Sequence, residues 1–307
     1  MSIWIAKAIV QKSISFLPYK HRINYFFQKY ITKGVSFTDD YFYDRLIRAK
    51  NHIDGYNRHS SKMIPECTLE IGTGWYPTVP ISMYLMGSLK IYSVDISMLT
   101  SLEKIKITIE KFIVANDNGT LKEYINFDDK RMCSLIHLYK MYDNYTLSQV
   151  LEYLNIIYLV GDARKMNLES DTIDLITSNN TFEHIYLDKL LPILIEFERV
   201  LKKGGISSHF IDLCDHFSYL DKEITIYNFL KFSDFQWQII DNNIQPQNRA
   251  RYFDYQKLFQ EIRVNVVEKV LNKGNHSLLA NTPLNKKYLQ HSIDELAICE
   301  CHIYTKK

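Results

Sequence analysis

Apolar residues recur every three or four positions near the start of the chain, at Ile3, Ala6, Val10, Ile14 and Leu17. That spacing predicts an amphipathic helix. Lys7, Lys12, Lys20 and Arg22 lie among and just after these positions. Docking on the rest of the protein is the ordinary setting for such a helix, and weak contact of residues 1–22 with a membrane surface is the alternative. A secretory signal is a poor match, because the apolar stretch is short, Lys7 interrupts it and no basic residue precedes it. The helical pattern runs to about residue 60, where the polar stretch 57–62 breaks it. Residues 1–62 therefore read as an N-terminal helical extension.

Beyond residue 62 the pattern changes to short apolar runs alternating with helical stripes. Strands are predicted over 67–71, 90–94, 155–160, 173–177, 206–213, 263–270 and 296–304. A helix over 76–87 tolerates Pro77 and Pro80 only in its first turn. Leu102, Ile105, Ile109, Phe112 and Ile113 give one helical face, and Leu190, Leu194, Phe197 and Leu201 another. Asp188 is the expected cap of the second of these helices, and Lys202-Lys203-Gly204-Gly205 its basic last turn and glycine stop. The fold class expected is α/β: a Rossmann-like, seven-stranded, mostly parallel sheet with helices on both faces, spanning residues 63–307. Residues 116–154 and 214–262 exceed what the connections need. Both are expected to be lids over the carboxyl ends of the strands, where open α/β sheets bind ligands.

Composition narrows the function without choosing it. The chain of 307 residues is 46% hydrophobic and 23% charged, ordinary for a globular protein with a real core. A formal net charge of +2 makes no demand for nucleic acid as a partner. The five cysteines include no C-x-x-C pair, which suits reduced thiols in the cytoplasm better than zinc or a disulfide framework. Cys299 and Cys301 lie two apart and would share one face of a strand.

The chemistry starts at Leu69-Glu70-Ile71-Gly72-Thr73-Gly74. A glycine-rich turn after a first strand lets a ligand approach the backbone closely. Asp95 ends the second strand, 23 residues after Gly72, where an acid can accept hydrogen bonds from two ribose hydroxyls. A dinucleotide fingerprint would have a third glycine to seat a pyrophosphate, and Trp75-Tyr76-Pro77 stands there instead. That favours an adenosyl ligand without phosphates over NAD.

These residues resemble motif I of the class I S-adenosylmethionine-dependent methyltransferases, E/D-x-G-x-G. Val94-Asp95 is similar to the acid closing their second strand, and Gly161-Asp162-Ala163 to their third motif. The segment Asp174 to Asn179 resembles their fourth strand, and Val200 to Gly205 the turn before their fifth. The resemblance covers roughly residues 66–215. It implies S-adenosyl-L-methionine as cofactor, with Glu70 on the methionine amino group, Asp95 on the ribose and Asp162 at the adenine. Gly72, Gly74, Ile96, Ala163 and Asn179 complete the cofactor-binding set it implies.

Methyl transfer from a sulfonium requires alignment and exclusion of water more than acid help. A hydroxyl acceptor also wants a general base. His216, after the fifth strand, is the candidate, and Asn180, His184, Arg249 and Arg251 are candidate acceptor contacts. Glu183-His184 resembles the metal-binding E-x-x-E-H of some O-methyltransferases, but Asn180 replaces the first Glu, so no metal is expected. The reading is methylation of a small molecule or glycan, most simply at oxygen. A methyltransferase-fold binding protein that has lost turnover is the alternative. No N/D-P-P-Y/F motif of base-amine methylation occurs.

Overall fold

The computed structural model describes residues 2–18 and 36–307. Lys20 and Arg22, invoked for the N-terminal helix, lie outside the described residues. Seven strands form one sheet in the order β3-β2-β1-β4-β5-β7-β6. They are β1 (Cys67–Ile71), β2 (Lys90–Asp95), β3 (Ile156–Val160), β4 (Ile173–Asn179), β5 (Leu201–Asp212), β6 (Asn265–Lys273) and β7 (Ile298–Lys306). The first five run parallel. β7 is antiparallel to both β5 and β6. The mostly parallel Rossmann-like sheet expected from the sequence is thus present.

The central strands β1 and β4 are buried along their whole length, which is why they read as continuous apolar runs rather than alternations. Successive residues of β4 serve opposite faces. Leu175 joins a core shared with Ile91, Phe112 and Ile206, whereas Ile176 joins one with Leu69, Ile71 and Phe197.

Helices cover both faces. They are α1 (Ile3–Ser15), α2 (Asp39–His59), α3 (Thr78–Leu85), α4 (Leu102–Asp117), α5 (Asp129–Lys140), α6 (Leu147–Tyr153), α7 (Leu187–Val200), α8 (Asp234–Ile240) and α9 (Tyr252–Glu261), with shorter helical turns between them. Ser101 caps α4 by accepting from the Lys104 amide. Thr146 and Gln149 form a reciprocal capping box on α6.

Four features differ from the sequence-based expectations. First, α2 is no appendage: Phe42, Leu46, Ala49 and Tyr56 lie in the first core, and Gly55 lets the ring of Tyr304 approach the helix backbone. Second, residues 116–154 are not a lid. The stripes Met132, Leu135, Leu138 and Val150, Leu151, Leu154 are buried in the core beside the β2–β3 side of the sheet, because an apolar face of that size is most stable against another apolar face. Third, β5 starts at Leu201 instead of Ile206, since Gly204 at φ +79° carries an irregularity inside the strand rather than a helix stop. Fourth, Asp188 sits in the first turn of α7 while Tyr186, without a side-chain cap, holds the cap position.

Helix α1 docks on the 214–262 segment, but through a different stripe from the predicted one. Trp4, Ala8, Gln11 and Ile14 are buried, whereas Ile3 is 60% and Leu17 48% exposed. The Trp4 ring settles the face, packing 5.6 Å from Phe217 and 5.8 Å from Phe232. Lys12 donates to the carbonyls of Gln238 and Asp241 at 2.8 and 2.7 Å. No described helix is long and apolar enough to cross a membrane.

Candidate active site

The loops after β1, β2 and β4 meet at the carboxyl edge of the parallel strands. Gly72 and Gly74 take φ of +75° and +73° there, a region open to glycine at little cost. The Gly72 amide donates to Val94 O at 2.8 Å, tying the turn to β2. The Gly74 amide donates to Asp95 Oδ2 at 3.1 Å and the Ile96 amide to Asp95 Oδ1 at 2.7 Å. Both oxygens of Asp95 are therefore aimed by the backbone and keep lone pairs for a ligand. Burial pushes the Asp95 carboxyl up, partly offset by these amides. Ile96 itself is 83% exposed.

The two glycines differ in what a side chain would meet. A Cβ on Gly72 would run into the Thr181 side chain, whereas one on Gly74 has only Gly72 O at 4.0 Å. Gly74→Ala is expected to cost the ~1–2 kcal/mol of the left-handed conformation alone. Gly72→Ala should add an overpacking penalty of about 1–3 kcal/mol. Thermal melts of the two variants check this; equal losses would mean that Thr181 does not press on the turn.

Glu70, the penultimate residue of the buried strand β1, is 5% exposed. Its Oε1 accepts from Asn179 Nδ2 at 3.3 Å, and its Oε2 has no hydrogen-bond partner. Burial pushes its pKa up to about 7, against the opposing pull of Thr73, Asn179 and Arg45. With Asn179 Nδ2 donating to Glu70, Asn179 Oδ1 is left to accept, so His52 Nε2 donates to it at 3.1 Å. His52 Nδ1 then accepts from Ser208 Oγ at 2.7 Å, which in turn accepts from His302 Nε2 at 2.8 Å. Burial keeps His52 neutral, with a pKa of about 3. His52 was invisible to sequence reasoning because it lies on α2, far from every motif. Arg45, one helical stretch earlier, donates to Asn180 Oδ1 at 2.9 Å and was missed for the same reason.

The third motif adjoins the turn through its backbone. The Gly161 amide reaches Asp95 O at 3.0 Å, so its backbone adjoins the turn, and Ala163 is buried. The Asp162 carboxylate, however, is about half exposed and is forked by Arg164, whose Nε lies 2.9 and 2.8 Å from its oxygens. The Arg164 guanidinium holds this carboxyl down at about 2.

A second polar group gathers after β4 and β5, brought together by the pairing of Asn179 with Phe210. His184 Nδ1 meets Pro246 O at 2.6 Å, and its ring centroid lies 5.0 Å from that of His216. His216 Nε2 lies 3.2 Å from Asp212 Oδ2. The other oxygen of Asp212 accepts from the Cys214 amide at 2.9 Å, and Tyr219 donates its hydroxyl to Oδ2 at 2.5 Å. Glu183 is 2% exposed, and neither carboxylate oxygen has a hydrogen-bond partner. Burial pushes it up to about 8. Asn248 closes over this loop, its side-chain amide donating to Phe182 O and Ile185 O.

The structure corrects the assignment of Arg249 and Arg251 to the acceptor. Arg251 is fully buried, donating to the carbonyls of Leu213, Leu296 and Ile298. Arg249 is 5% exposed and is held by Phe229 O, Phe232 O and Asp234. Both guanidiniums are consumed by internal acceptors, which leaves neither free to grip a ligand.

Comparison with known proteins agrees with this architecture. The methyltransferase domain family matches residues 135–208. No curated protein sequence matches the chain. Among solved structures, the PH0226 protein of Pyrococcus horikoshii OT3 is similar over 91% of this chain and 97% of its own, with TM-score 0.50 and 13% identity. Geranyl diphosphate C-methyltransferase of Streptomyces coelicolor A3(2) is similar over 83% of this chain and 78% of its own, with TM-score 0.45 and 13% identity.

Proposed function

Starting from a chain of the class I, Rossmann-like S-adenosylmethionine-dependent methyltransferase fold, we propose that it transfers the methyl group of S-adenosyl-L-methionine to a small molecule or glycan, at oxygen. The observation that carries this reading is the pair of acids around the glycine turn. The unpartnered Glu70 Oε2 suits a cationic amino group, and the backbone-aimed oxygens of Asp95 suit two vicinal hydroxyls. Gly74 leaves open space where a Cβ would project, as a ligand lying against the backbone needs. When bound, the donor supplies an electrophilic methyl on sulfur. The protein's part is to hold it, to shut out water and to present the acceptor oxygen in line.

The acceptor side is the polar group around Glu183, His184 and His216, with Asp212 Oδ2 3.2 Å from His216 Nε2. An imidazole beside a carboxylate suits a general base, and His216 holds that place. Calorimetry with S-adenosylmethionine tests donor binding. Release of S-adenosylhomocysteine with a panel of hydroxylated acceptors tests turnover. Donor binding without turnover on any acceptor would favour a binding protein on this fold.

Glu70 makes donor binding sensitive to pH. Its folded pKa of about 7 lies above its ordinary value of 4.5. Between those values the folded state holds a proton that the unfolded state has lost, so the contribution of Glu70 to stability falls as pH rises through that window. A cationic ligand group favours the ionised form, so binding near pH 6 is expected to release a proton. Affinity should then rise with pH until about 7. Calorimetry in two buffers of different ionisation enthalpy measures the release. Glu70→Gln should abolish it; release that persists in this variant would move the effect to another group.

A further inference from the structure

We propose that Glu183, His184 and His216 form a binding site for one divalent transition-metal cation of the zinc type. One potential ligand atom from each of the three lies within 4.8 Å of the others. Bonds of roughly 2.0–2.2 Å around a common ion bring such atoms somewhat closer, so closure asks for side-chain adjustment rather than movement of the backbone. This departs from the sequence-based expectation of no metal. That expectation weighed only the residues after β4, and His216 reaches the group from the end of β5.

Three independent features point to an ion. The first is Glu183. A carboxylate that is 2% exposed and has no hydrogen-bond partner for either oxygen is costly to bury, and a cation would supply what it lacks. The second is His184. Its Nδ1 lies 2.6 Å from Pro246 O, so Nδ1 carries the proton and Nε2 keeps its lone pair. Metal-bound imidazoles are oriented in this way by a carbonyl behind them. The third is His216, whose buried Nε2 has no hydrogen-bond partner and lies 3.2 Å from Asp212 Oδ2, with Asp212 itself fixed by Tyr219 and the Cys214 amide.

The donor set names the class of ion. Two imidazoles and one carboxylate suit zinc and its neighbours, whereas magnesium and calcium prefer oxygen alone. His184 and His216 are only partly buried, which leaves the ion reachable and a position open to an oxygen of the acceptor. At that position the cation would lower the pKa of an acceptor hydroxyl, and with the ion bound this activation replaces proton abstraction by His216, whose ring then serves as a ligand. This acceptor role rests on the methyl-transfer reading; the cation site itself does not.

The test is calorimetry of chelator-treated protein titrated with ZnCl2, with MgCl2 and S-adenosylmethionine titrated in parallel. One equivalent of Zn2+ is expected to bind, and more tightly than Mg2+. Asp212→Asn, which alters the carboxylate beside a ligand, should weaken Zn2+ by roughly 10–100-fold. Glu183→Gln and His216→Gln should each weaken it further. Wild-type affinity equal to that of the Glu183→Gln/His216→Gln double variant would overturn the site. Should those variants unfold, Co2+ added to the wild type decides. Intense d–d absorption without thiolate-to-metal charge transfer is expected, and its absence, or a thiolate band, rules the site out. Protein that binds S-adenosylmethionine but no Zn2+ refutes only the cation. Protein that binds Zn2+ but no S-adenosylmethionine refutes only the donor.

Discussion

Replacing Arg251 by Met should destabilise the protein by about 3 kcal/mol or more while leaving acceptor affinity unaffected in the molecules that remain folded. The guanidinium is fully buried and donates to three backbone carbonyls, those of Leu213, Leu296 and Ile298. These carbonyls lie just after β5, just before β7 and at the first residue of β7. Arg251, at the start of α9, thus fastens that helix to the end of the β5–β7 pair, where the Leu213 amide donates to Cys299 O at 2.8 Å. Methionine fills a similar volume but strands the carbonyls, and each unpaired buried acceptor costs about 1–3 kcal/mol. Removing a buried cation recovers part of that, so the net loss is smaller than the sum. In a chain of 307 residues, a loss of ~3 kcal/mol corresponds to a fall of about 5 °C in Tm. A thermal melt reads it directly. An unchanged Tm together with a raised KM for the acceptor would return Arg251 to the ligand-gripping role that the sequence suggested.

Asp95→Ala is expected to weaken S-adenosylmethionine binding by about a hundredfold or more. Two hydrogen bonds from ligand hydroxyls to a carboxylate are lost, each worth about 1.5–3 kcal/mol. The Gly74 and Ile96 amides lose their acceptor as well, so the glycine turn keeps only the Gly72 amide on Val94 O as its tie to β2. Asp95→Asn keeps one acceptor oxygen and should fall between the two. Calorimetry at fixed ionic strength measures the affinities, and a melt confirms that the variants fold. Asp95→Ala indistinguishable from wild type would sink the cofactor assignment, because among the described residues no other offers two backbone-aimed carboxylate oxygens beside the turn.

Some residues changed meaning between sequence and structure, and the reasons are physical. Glu70, Gly72, Gly74 and Asp95 were legible because their signals are local. A glycine turn and an acid at a strand end declare themselves within a few residues. Arg249 and Arg251 were misread because a polar arginine-rich stretch looks free to grip a ligand until the carbonyls that surround it are known. The buried stripe of α1 was misread because that helix has apolar residues around most of its circumference, and only the place of Trp4 between Phe217 and Phe232 selects a face. Residues 116–154 were read as a lid because length alone was weighed, although the periodic leucines already marked core-facing helices.

By itself, the sequence determined the seven strands, the change of period near residue 62 and the turn at Gly72 to Gly74, because periodicity and turn chemistry act over short stretches of chain. Only the tertiary structure decided which distant residues meet. The contact of His52 with Asn179 spans 127 positions, and that of Arg251 with Ile298 spans 47. The gathering of Glu183, His184 and His216 depends on β4 and β5 lying side by side in one register. Such meetings are set by the packing of whole elements, which no short window of sequence contains.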